Sequence, residues 1–258
     1  MNVLLRRILL VVVVCTAVAS AQQPLPYWDY QSAMQAAYYL DHVTTVDTLE
    51  DEFGPFLALG DRFGLVRLIQ LVAGQSRDVW TSKQLTGAVI EVLSADLDGD
   101  DQNEIIAWTG SGILYVWSSA DRRLRWESLN NDFREIHCVS LGQVDDDAPL
   151  EIVVNADQHL HYIDGLTFNR EWTSPMEYEA GRLAVGDVDG DGTAEIVLNT
   201  GQVVDVRSGD VEWAGEVFGS RIMLLDMDGD GIPEVLSESD GTVMRIFDVD
   251  HQREKILQ

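Results

Sequence analysis

The sequence predicts an all-β protein, a β-propeller of about five recognisable four-stranded blades with a short N-terminal helical segment. Short apolar runs separated by tight turns recur along most of its 258 residues, and an acidic turn returns in step with them. Tryptophans end successive repeats, at Trp80, Trp126, Trp172 and Trp213. Because one four-stranded blade cannot bury both of its faces alone, several must stack around an axis. A β-sandwich would also contain short strands, but it explains the spaced tryptophans less well.

The first 21 residues have the pattern of an export signal. Arg6 and Arg7 precede an apolar run from Ile8 to Ala19, which is too short to span a bilayer, since that requires about 20 residues. Ala19-Ser20-Ala21 then matches a cleavage site. We therefore expect residues 1–21 to be a signal peptide, and we expect no membrane insertion after its cleavage. The mature protein would be secreted, periplasmic or on the cell surface, and a single membrane anchor is the alternative.

Residues 22–52 differ from the rest of the chain because they are rich in aromatic residues and contain a helical pattern. Asp29 is a candidate N-cap for a short helix from Tyr30 to Leu40. We expect this N-terminal aromatic and helical segment to pack beside the main domain, although its composition would also suit an arm that docks a partner.

Residues 53–258 form the predicted propeller. We divide them into five repeat units, at about 53–82, 86–128, 132–175, 180–215 and 218–258. A complete unit begins with an apolar run that ends in an acidic residue, and an acidic turn then leads into a glutamate and a β-branched run. Two further short strands close the unit. The glutamates are Glu104, Glu151, Glu195 and Glu234. Four short strands at a period of about 40–47 residues are typical of a propeller blade.

The acidic turns are the candidate metal-binding sites. Three of them place carboxylates at positions 1, 3, 5 and 9 of a nine-residue loop, and position 7 would add a backbone carbonyl by analogy with other calcium loops. The predicted ligands in the second unit are Asp96, Asp98, Asp100, Gln102 and Glu104. In the fourth unit they are Asp187, Asp189, Asp191, Thr193 and Glu195. In the fifth unit they are Asp226, Asp228, Asp230, Ile232 and Glu234.

Hard oxygen ligands at alternate positions of a tight loop suit Ca²⁺, whereas Mg²⁺ demands strict octahedral geometry and keeps its waters. Glycines in the turns permit the positive φ values that fold a loop around an ion. Without a cation, four carboxylates in one loop would repel one another. We therefore expect about three Ca²⁺ sites. A solvated acidic turn is the alternative for any single loop, but three loops in register favour metal binding.

Two units depart from this pattern. In the third unit the four equivalent residues are Gln143, Asp145, Asp147 and Glu151. Because an amide replaces the first carboxylate, we expect this loop to be a weak fourth site or none. In the first unit we assign the shortened turn Asp61–Leu65 to the same place, with Phe63 where an acid would be needed, and we expect no site there.

The motif Asp-x-Asp-Gly-Asp-x-x-x-Glu between strands resembles the FG-GAP or VCBS-type propeller repeat of integrin α-subunit heads and many exported bacterial proteins. Phe53-Gly54 followed by Leu57-Ala58-Leu59-Gly60-Asp61 resembles the opening of such a repeat. The resemblance covers about residues 53–258 and implies a calcium-stabilised propeller with Ca²⁺ between the first two strands of a blade. It also implies adhesion, assembly or ligand binding, usually without catalysis.

Charge and motif content narrow the function. Acidic residues number 44 against 17 basic ones, for a formal net charge of −27, which disfavours nucleic acids and anionic membrane surfaces as partners. The sequence contains no nucleophile motif and no phosphate-binding glycine loop. His159 and His161 share one face of a predicted strand, and we interpret them as an exposed face rather than half of a transition-metal site.

We therefore predict an exported calcium-binding propeller that acts as a non-catalytic binding, adhesion or assembly module. Its partner would be a protein or carbohydrate ligand on a loop face. Two alternatives stay open. One is a carbohydrate-active lyase or hydrolase on the same scaffold. The other is a quinoprotein-like redox subunit, since the turns that lead to Trp126 and Trp213 resemble quinoprotein repeats.

Overall fold

A computed structural model describes residues 43–51, 54–72, 75–239, 243–251 and 253–257. The expected signal peptide and the expected helix from Tyr30 to Leu40 lie outside these residues. Thr44–Gln258 forms one compact unit. Within the described part of the chain, no helix is long and apolar enough to cross a membrane.

The described residues form five four-stranded sheets in which the strands follow one another in chain order. Sheet 1 contains β1 Val43–Asp51, β2 Gly54–Asp61, β3 Val66–Val72 and β4 Gln75–Thr81. Sheet 2 contains β5 Val89–Ala95, β6 Glu104–Thr109, β7 Leu114–Ser118 and β8 Leu124–Glu127. Sheet 3 contains β9 Ile136–Gly142, β10 Glu151–Ala156, β11 His159–Asp164 and β12 Arg170–Thr173. Sheet 4 contains β13 Leu183–Gly186, β14 Glu195–Leu198, β15 Gln202–Asp205 and β16 Val211–Ala214. Sheet 5 contains β17 Arg221–Leu225, β18 Glu234–Ser239, β19 Val243–Asp248 and β20 Arg253–Leu257.

Buried apolar side chains form four cores, each between two consecutive sheets. The second strands of the sheets contribute many of these buried side chains. Every residue of β6 and of β10, for example, is buried. One of the spaced tryptophans packs against each core, in the order Trp80, Trp126, Trp172 and Trp213. Trp126 of sheet 2, for example, stacks on Phe168 of sheet 3 with ring centroids 5.3 Å apart. This confirms that the repeat packs sheet against sheet.

The first strands of sheets 3, 4 and 5 lie side by side, since β9 contacts β13 and β13 contacts β17. Glycine makes this approach possible. A Cβ atom on Gly142 would lie 2.5 Å from Cγ1 of Val185, and one on Gly186 would lie 2.8 Å from Cδ1 of Leu224. Sheets 3, 4 and 5 therefore meet along their first strands as well as through their cores.

Sheet 1 differs from the predicted first unit. It begins at Val43 rather than at residue 53. The turn Asp61–Leu65 connects β2 to β3 and not the first strand to the second. The amide of Asp61 donates to the carbonyl of Leu65, as the amide of Thr109 donates to Ile113 in the β6–β7 turn, both at 3.0 Å. The assignment was wrong because polar residues interrupt the apolar pattern of β1, whereas β2 has the apolar run ending in an acid that marks other first strands.

The meander order places all connections at two ends of the sheets. The loops between first and second strands lie at one end, which we call the acidic end. Leu150 of sheet 3 donates its amide to the carbonyl of Leu97 of sheet 2 at 2.9 Å, so these loops are neighbours. The opposite end carries the turns between second and third strands and the connections from one sheet to the next.

Candidate metal-binding loops

Four loops at the acidic end join the first and second strands of sheets 2 to 5. We name them loop 2 (96–104), loop 3 (143–151), loop 4 (187–195) and loop 5 (226–234). Each contains one of the four predicted ligand sets. The predicted sites therefore fall in equivalent places of consecutive sheets, and their local geometry distinguishes one loop from another.

Loop 4 brings its predicted carboxylates together. One oxygen from each of its four acids lies within 4.8 Å of the others, the acids being Asp187, Asp189, Asp191 and Glu195. Oxygens bound to Ca²⁺ lie about 2.3–2.6 Å from the ion, so two on opposite sides are about 4.6–5.2 Å apart. The spacing of these four oxygens thus suits a single Ca²⁺ ion.

The first aspartate of loop 4 holds the loop in its tight shape. Asp187 accepts hydrogen bonds from the amides of Gly190 at 2.7 Å and Gly192 at 3.0 Å. Both glycines have positive φ, +80° and +89°, a conformation that is costly for residues with a side chain. Loop 5 repeats the arrangement, because Asp226 accepts from Gly229 at 2.6 Å and Gly231 at 3.1 Å.

The closing glutamate of each loop is buried. One of its oxygens accepts the amide of the residue at position 2, at 2.8 Å from Val188 in loop 4 and 2.8 Å from Val144 in loop 3. The other oxygen, Oε1, is buried without a hydrogen-bond partner in both Glu195 and Glu151. Each of these glutamates is 0% exposed. A buried carboxylate oxygen without a partner is costly, and a cation would satisfy it.

Burial also changes the acidity of these glutamates. It raises the pKa of Glu195 to about 8, and the nearby Asp189 and Asp187 carboxylates add to the rise. It raises the pKa of Glu151 to about 7, with Asp145 and Asp147 contributing in the same direction. A dication bound beside either carboxylate would favour its ionised form and reverse this rise.

Loop 2 departs from loop 4 in two ways. Its grouped acids are Asp96, Asp98 and Glu104, whereas Asp100 is exposed and outside that group. Its Glu104 also has a cationic neighbour. The Arg125 guanidinium places Nη1 2.8 Å from Glu104 Oε1 and 2.7 Å from Asp98 Oδ2. The oxygen that lacks a partner in loop 4 is therefore satisfied by an arginine in loop 2.

In loop 3, the side-chain amide of Gln143 forms hydrogen bonds within the loop. The side-chain nitrogen of Gln143 donates to the backbone carbonyls of Asp145 at 3.0 Å and Asp147 at 2.5 Å. An amide donor thus lies where loop 4 has a carboxylate that could bind a metal. Asp145, Asp147 and Glu151 still form a group within 4.8 Å, so three of the four predicted oxygens remain together.

Loop 5 has the backbone of loop 4 but is more open. Asp226, Asp228 and Asp230 are all exposed, and Glu234 is buried. Arg253 lies nearby, with Nη2 4.0 Å from Asp228 Oδ2, and it also pairs with Asp248. The three aspartates of this loop therefore have greater access to solvent than those of loop 4, and their ligation of a metal stays a prediction.

The residues at position 7 have a defined role in the loop backbone. The amides of Gln102, Thr193 and Ile232 donate to the position-5 aspartates at 2.8, 2.7 and 2.9 Å. These bonds restrain the second half of each loop. Ligation by their carbonyl oxygens stays a prediction.

Some side chains that reach the loops from the third and fourth strands were not predicted from the sequence. Arg125 lies beside loop 2, and Glu195 of loop 4 groups with Asp205 and Glu212. Arg125 and Glu212 each stand immediately before one of the spaced tryptophans. That regularity was visible in the sequence, but only strand register shows that this position faces the acidic loop.

Contrary to the prediction, the two histidines of β11 do not share an exposed strand face. His161 is buried, at 6% exposure, rather than on an exposed strand face. Its Nδ1 lies 2.9 Å from the Thr173 hydroxyl and its Nε2 3.3 Å from the Ala156 carbonyl. Burial lowers its pKa to about 4, and Arg170 adds to this effect. The His161 ring contacts the ring of Phe133, in the connection between sheets 2 and 3, with ring centroids 5.3 Å apart.

No family model matches this sequence. No curated protein matches it either. Solved structures do match its fold. The crystal structure of BBS1N in complex with ARL6DN is 11% identical, with a TM-score of 0.58 over 84% of this chain and 68% of that one. The WD40 β-propeller domain of Doa1 is 16% identical, with a TM-score of 0.60 over 84% and 68%.

A third similar structure is the V. cholerae biofilm matrix protein Bap1, 16% identical, with a TM-score of 0.57 over 81% of this chain and 38% of that one. The chain thus spans about two thirds of the BBS1N and Doa1 chains and well under half of the Bap1 chain. At such low identity these similarities establish the fold alone. The five sheets belong to a β-propeller architecture, as the sequence predicted.

Proposed function

We propose that this chain is an exported, calcium-binding β-propeller of the FG-GAP or VCBS type that acts as a non-catalytic binding or assembly module. The observation that carries the calcium proposal is the Glu195 carboxylate. It is 0% exposed, its Oε1 has no partner, and it lies within 4.8 Å of three aspartate oxygens. A Ca²⁺ ion would complete the coordination of that oxygen and offset the repulsion among four acids.

Loops 4 and 5 are the proposed principal sites. They share the aspartate-capped backbone and two glycines with positive φ. The backbone carbonyls of Thr193 and Ile232 would add ligands there. Loop 3 would be weaker, because the Gln143 amide already donates to carbonyls within the loop. In loop 2, Arg125 already lies against the acids.

The partner we propose is a protein that binds the end opposite the acidic loops. Three connections between sheets present exposed apolar side chains there: Leu129 at 72%, Met176 at 52% and Val217 at 58% exposure. Exposed apolar side chains are common on protein-binding surfaces, and these three lie at the same end of consecutive sheets. The similar BBS1N structure was determined in complex with the protein ARL6DN. Export to the periplasm, the cell surface or the medium is supported by the signal-like N-terminus.

The calcium proposal is tested by thermal melts of the mature chain with calcium and with chelator. Calcium at about 100 times Kd stabilises by about 2.7 kcal/mol per site, and this corresponds to about 5–11 °C for a chain of this size. Glu195→Gln should lose most of the loop 4 contribution. Glu179→Gln is the matched control, because Glu179 is exposed and outside the loops. Superimposable wild-type melts with and without calcium would contradict the proposal.

The protein-binding proposal needs a separate experiment. The immobilised wild-type chain is compared with the triple variant Leu129→Ser, Met176→Ser and Val217→Ser in an extract of the source organism. We expect a protein that the wild type retains and the triple variant loses, while both melt at similar temperatures. Equal retention by the two forms would exclude this end as the binding surface. Retention that free oligosaccharide abolishes would favour a carbohydrate ligand instead.

A further inference from the structure

The fourth strands of sheets 1 to 4 each contain one extra residue, and in sheets 2 to 4 this residue is charged and lies beside an acidic loop. In sheet 2, Val116 pairs with Trp126 but Trp117 pairs with Leu124. The pairing in sheet 3 shifts likewise between Tyr162 and Ile163, and in sheet 4 between Val203 and Val204. Each shift is a β-bulge that leaves one residue unpaired in the register. The bulge residues are Arg125, Glu171 and Glu212.

The bulge residue is basic in sheet 2 and acidic in sheets 3 and 4. Arg125 Nη1 lies between two acids of loop 2, 2.7 Å from Asp98 Oδ2 and 2.8 Å from Glu104 Oε1. The Asp98 side chain is 9% exposed and the Glu104 side chain 2%. A dication that bound both of these oxygens would have to occupy the space that holds the guanidinium nitrogen, and the two cations would repel each other.

In sheet 4 the same position adds negative charge. Glu212 groups with Glu195 and Asp205, each with an oxygen within 4.8 Å of the others. Asp205 is opposite Glu195 in the strand register, where sheet 2 has Ser118 opposite Glu104. The Glu195 carboxylate, whose Oε1 is buried and has no hydrogen-bond partner, belongs both to this group and to the group of loop acids. In sheet 4 the closing glutamate therefore has additional carboxylates nearby, where in sheet 2 it has a cation.

We propose that the bulge residue determines which cation each loop holds. Arg125 is the built-in cation of loop 2 and excludes Ca²⁺ from it, whereas Glu212 and Asp205 extend the acidic set around loop 4 and make it the strongest calcium site. Glu171 occupies the same position beside loop 3. This inference rests on the proposed calcium function of loops 4 and 5, and it reduces the three strong sites predicted from sequence to two.

The test exchanges the two charges and counts bound calcium by equilibrium dialysis and atomic absorption. Arg125→Glu should bind one calcium ion more per chain than the wild type, and Glu212→Arg one fewer. Arg123→Glu is the matched control, because Arg123 is 85% exposed and pairs only loosely with Asp121 at 3.5 Å. Its calcium count should equal that of the wild type. If Arg125→Glu does not fold, Arg125→Gln is measured in its place, with the same expected gain.

The outcomes separate this inference from the proposed function. If the wild type binds no calcium, the proposed function fails, and a gain of one ion in the Arg125 variant would still support the role of Arg125. If the wild type binds calcium and the Arg125 variant binds no more, Arg125 does not exclude the ion and the inference is overturned. A gain equal to that of the Arg123→Glu control would also overturn it, since added negative charge alone would then explain the result.

Discussion

Replacing Gly142 by alanine tests the close packing of the first strands. The added Cβ would lie 2.5 Å from Cγ1 and 2.6 Å from Cβ of Val185, whereas carbon atoms pack favourably at about 3.5–4.0 Å. Both Val185 atoms belong to a stiff β-branched side chain that cannot move aside. Strands β9 and β13 would therefore have to separate by about 1 Å. We expect a loss of about 1–3 kcal/mol in the free energy of unfolding, the usual cost of overpacking.

Urea unfolding followed by tryptophan fluorescence measures this loss, because the tryptophans lie against the cores between sheets. Gly181→Ala is the matched control, since no atom lies within 4 Å of a Cβ at that position. Alanine there should be close to neutral, or slightly stabilising through the unfolded state. If the two variants unfolded at the same urea concentration as the wild type, the first strands would not be in the close contact described here.

Three further predictions concern single residues. Because the pKa of buried His161 is lowered to about 4, the unfolded chain binds a proton first on acidification, so about 2 kcal/mol of stability should be lost between pH 8 and pH 5. Urea melts of His161→Gln should lack that loss. Ser128→Ala should cost about 1–2 kcal/mol in the same assay, since its hydroxyl accepts the buried Leu114 amide at 3.0 Å. Asp101→Gly should raise the melting temperature of the chelated protein by removing about 1 kcal/mol of strain, because Asp101 has a φ of 65°. If His161→Gln lost as much stability between pH 8 and pH 5 as the wild type, the His161 argument would be wrong. Wild-type stability in Ser128→Ala, or a wild-type melting temperature in Asp101→Gly, would likewise contradict the other two.

The repeat was readable from the sequence where strands are strongly apolar and acids recur. Glu151 and Glu195 begin second strands that are wholly buried, and the spaced tryptophans mark fourth strands. The first strand of sheet 1 was missed because Thr44, Thr45 and Asp47 interrupt its apolar pattern. A polar strand of this kind is specified by its neighbours in the sheet rather than by its own composition.

The loop acids were also predictable, because alternate carboxylates in a short loop form a local pattern. Arg125 and Glu212 were not, since they lie 21 and 17 residues along the chain from the glutamates they approach, Glu104 and Glu195. A bulge in the fourth strand turns them toward the loop, and bulges leave little trace in a single sequence. The charge next to each loop is therefore a property of strand register, and so is the difference between loops 2 and 4.

The most direct test of the account is calorimetric titration of Ca²⁺ into the chelated mature chain. We predict saturable binding at about 10⁻⁴–10⁻³ M, the range of extracellular calcium modules. The double variant Asp189→Ala and Asp228→Ala should lose most of the bound calcium while keeping its β-sheet circular dichroism. An absence of binding heat and of retained calcium at millimolar Ca²⁺ in the wild type would contradict the claim that these loops are metal sites.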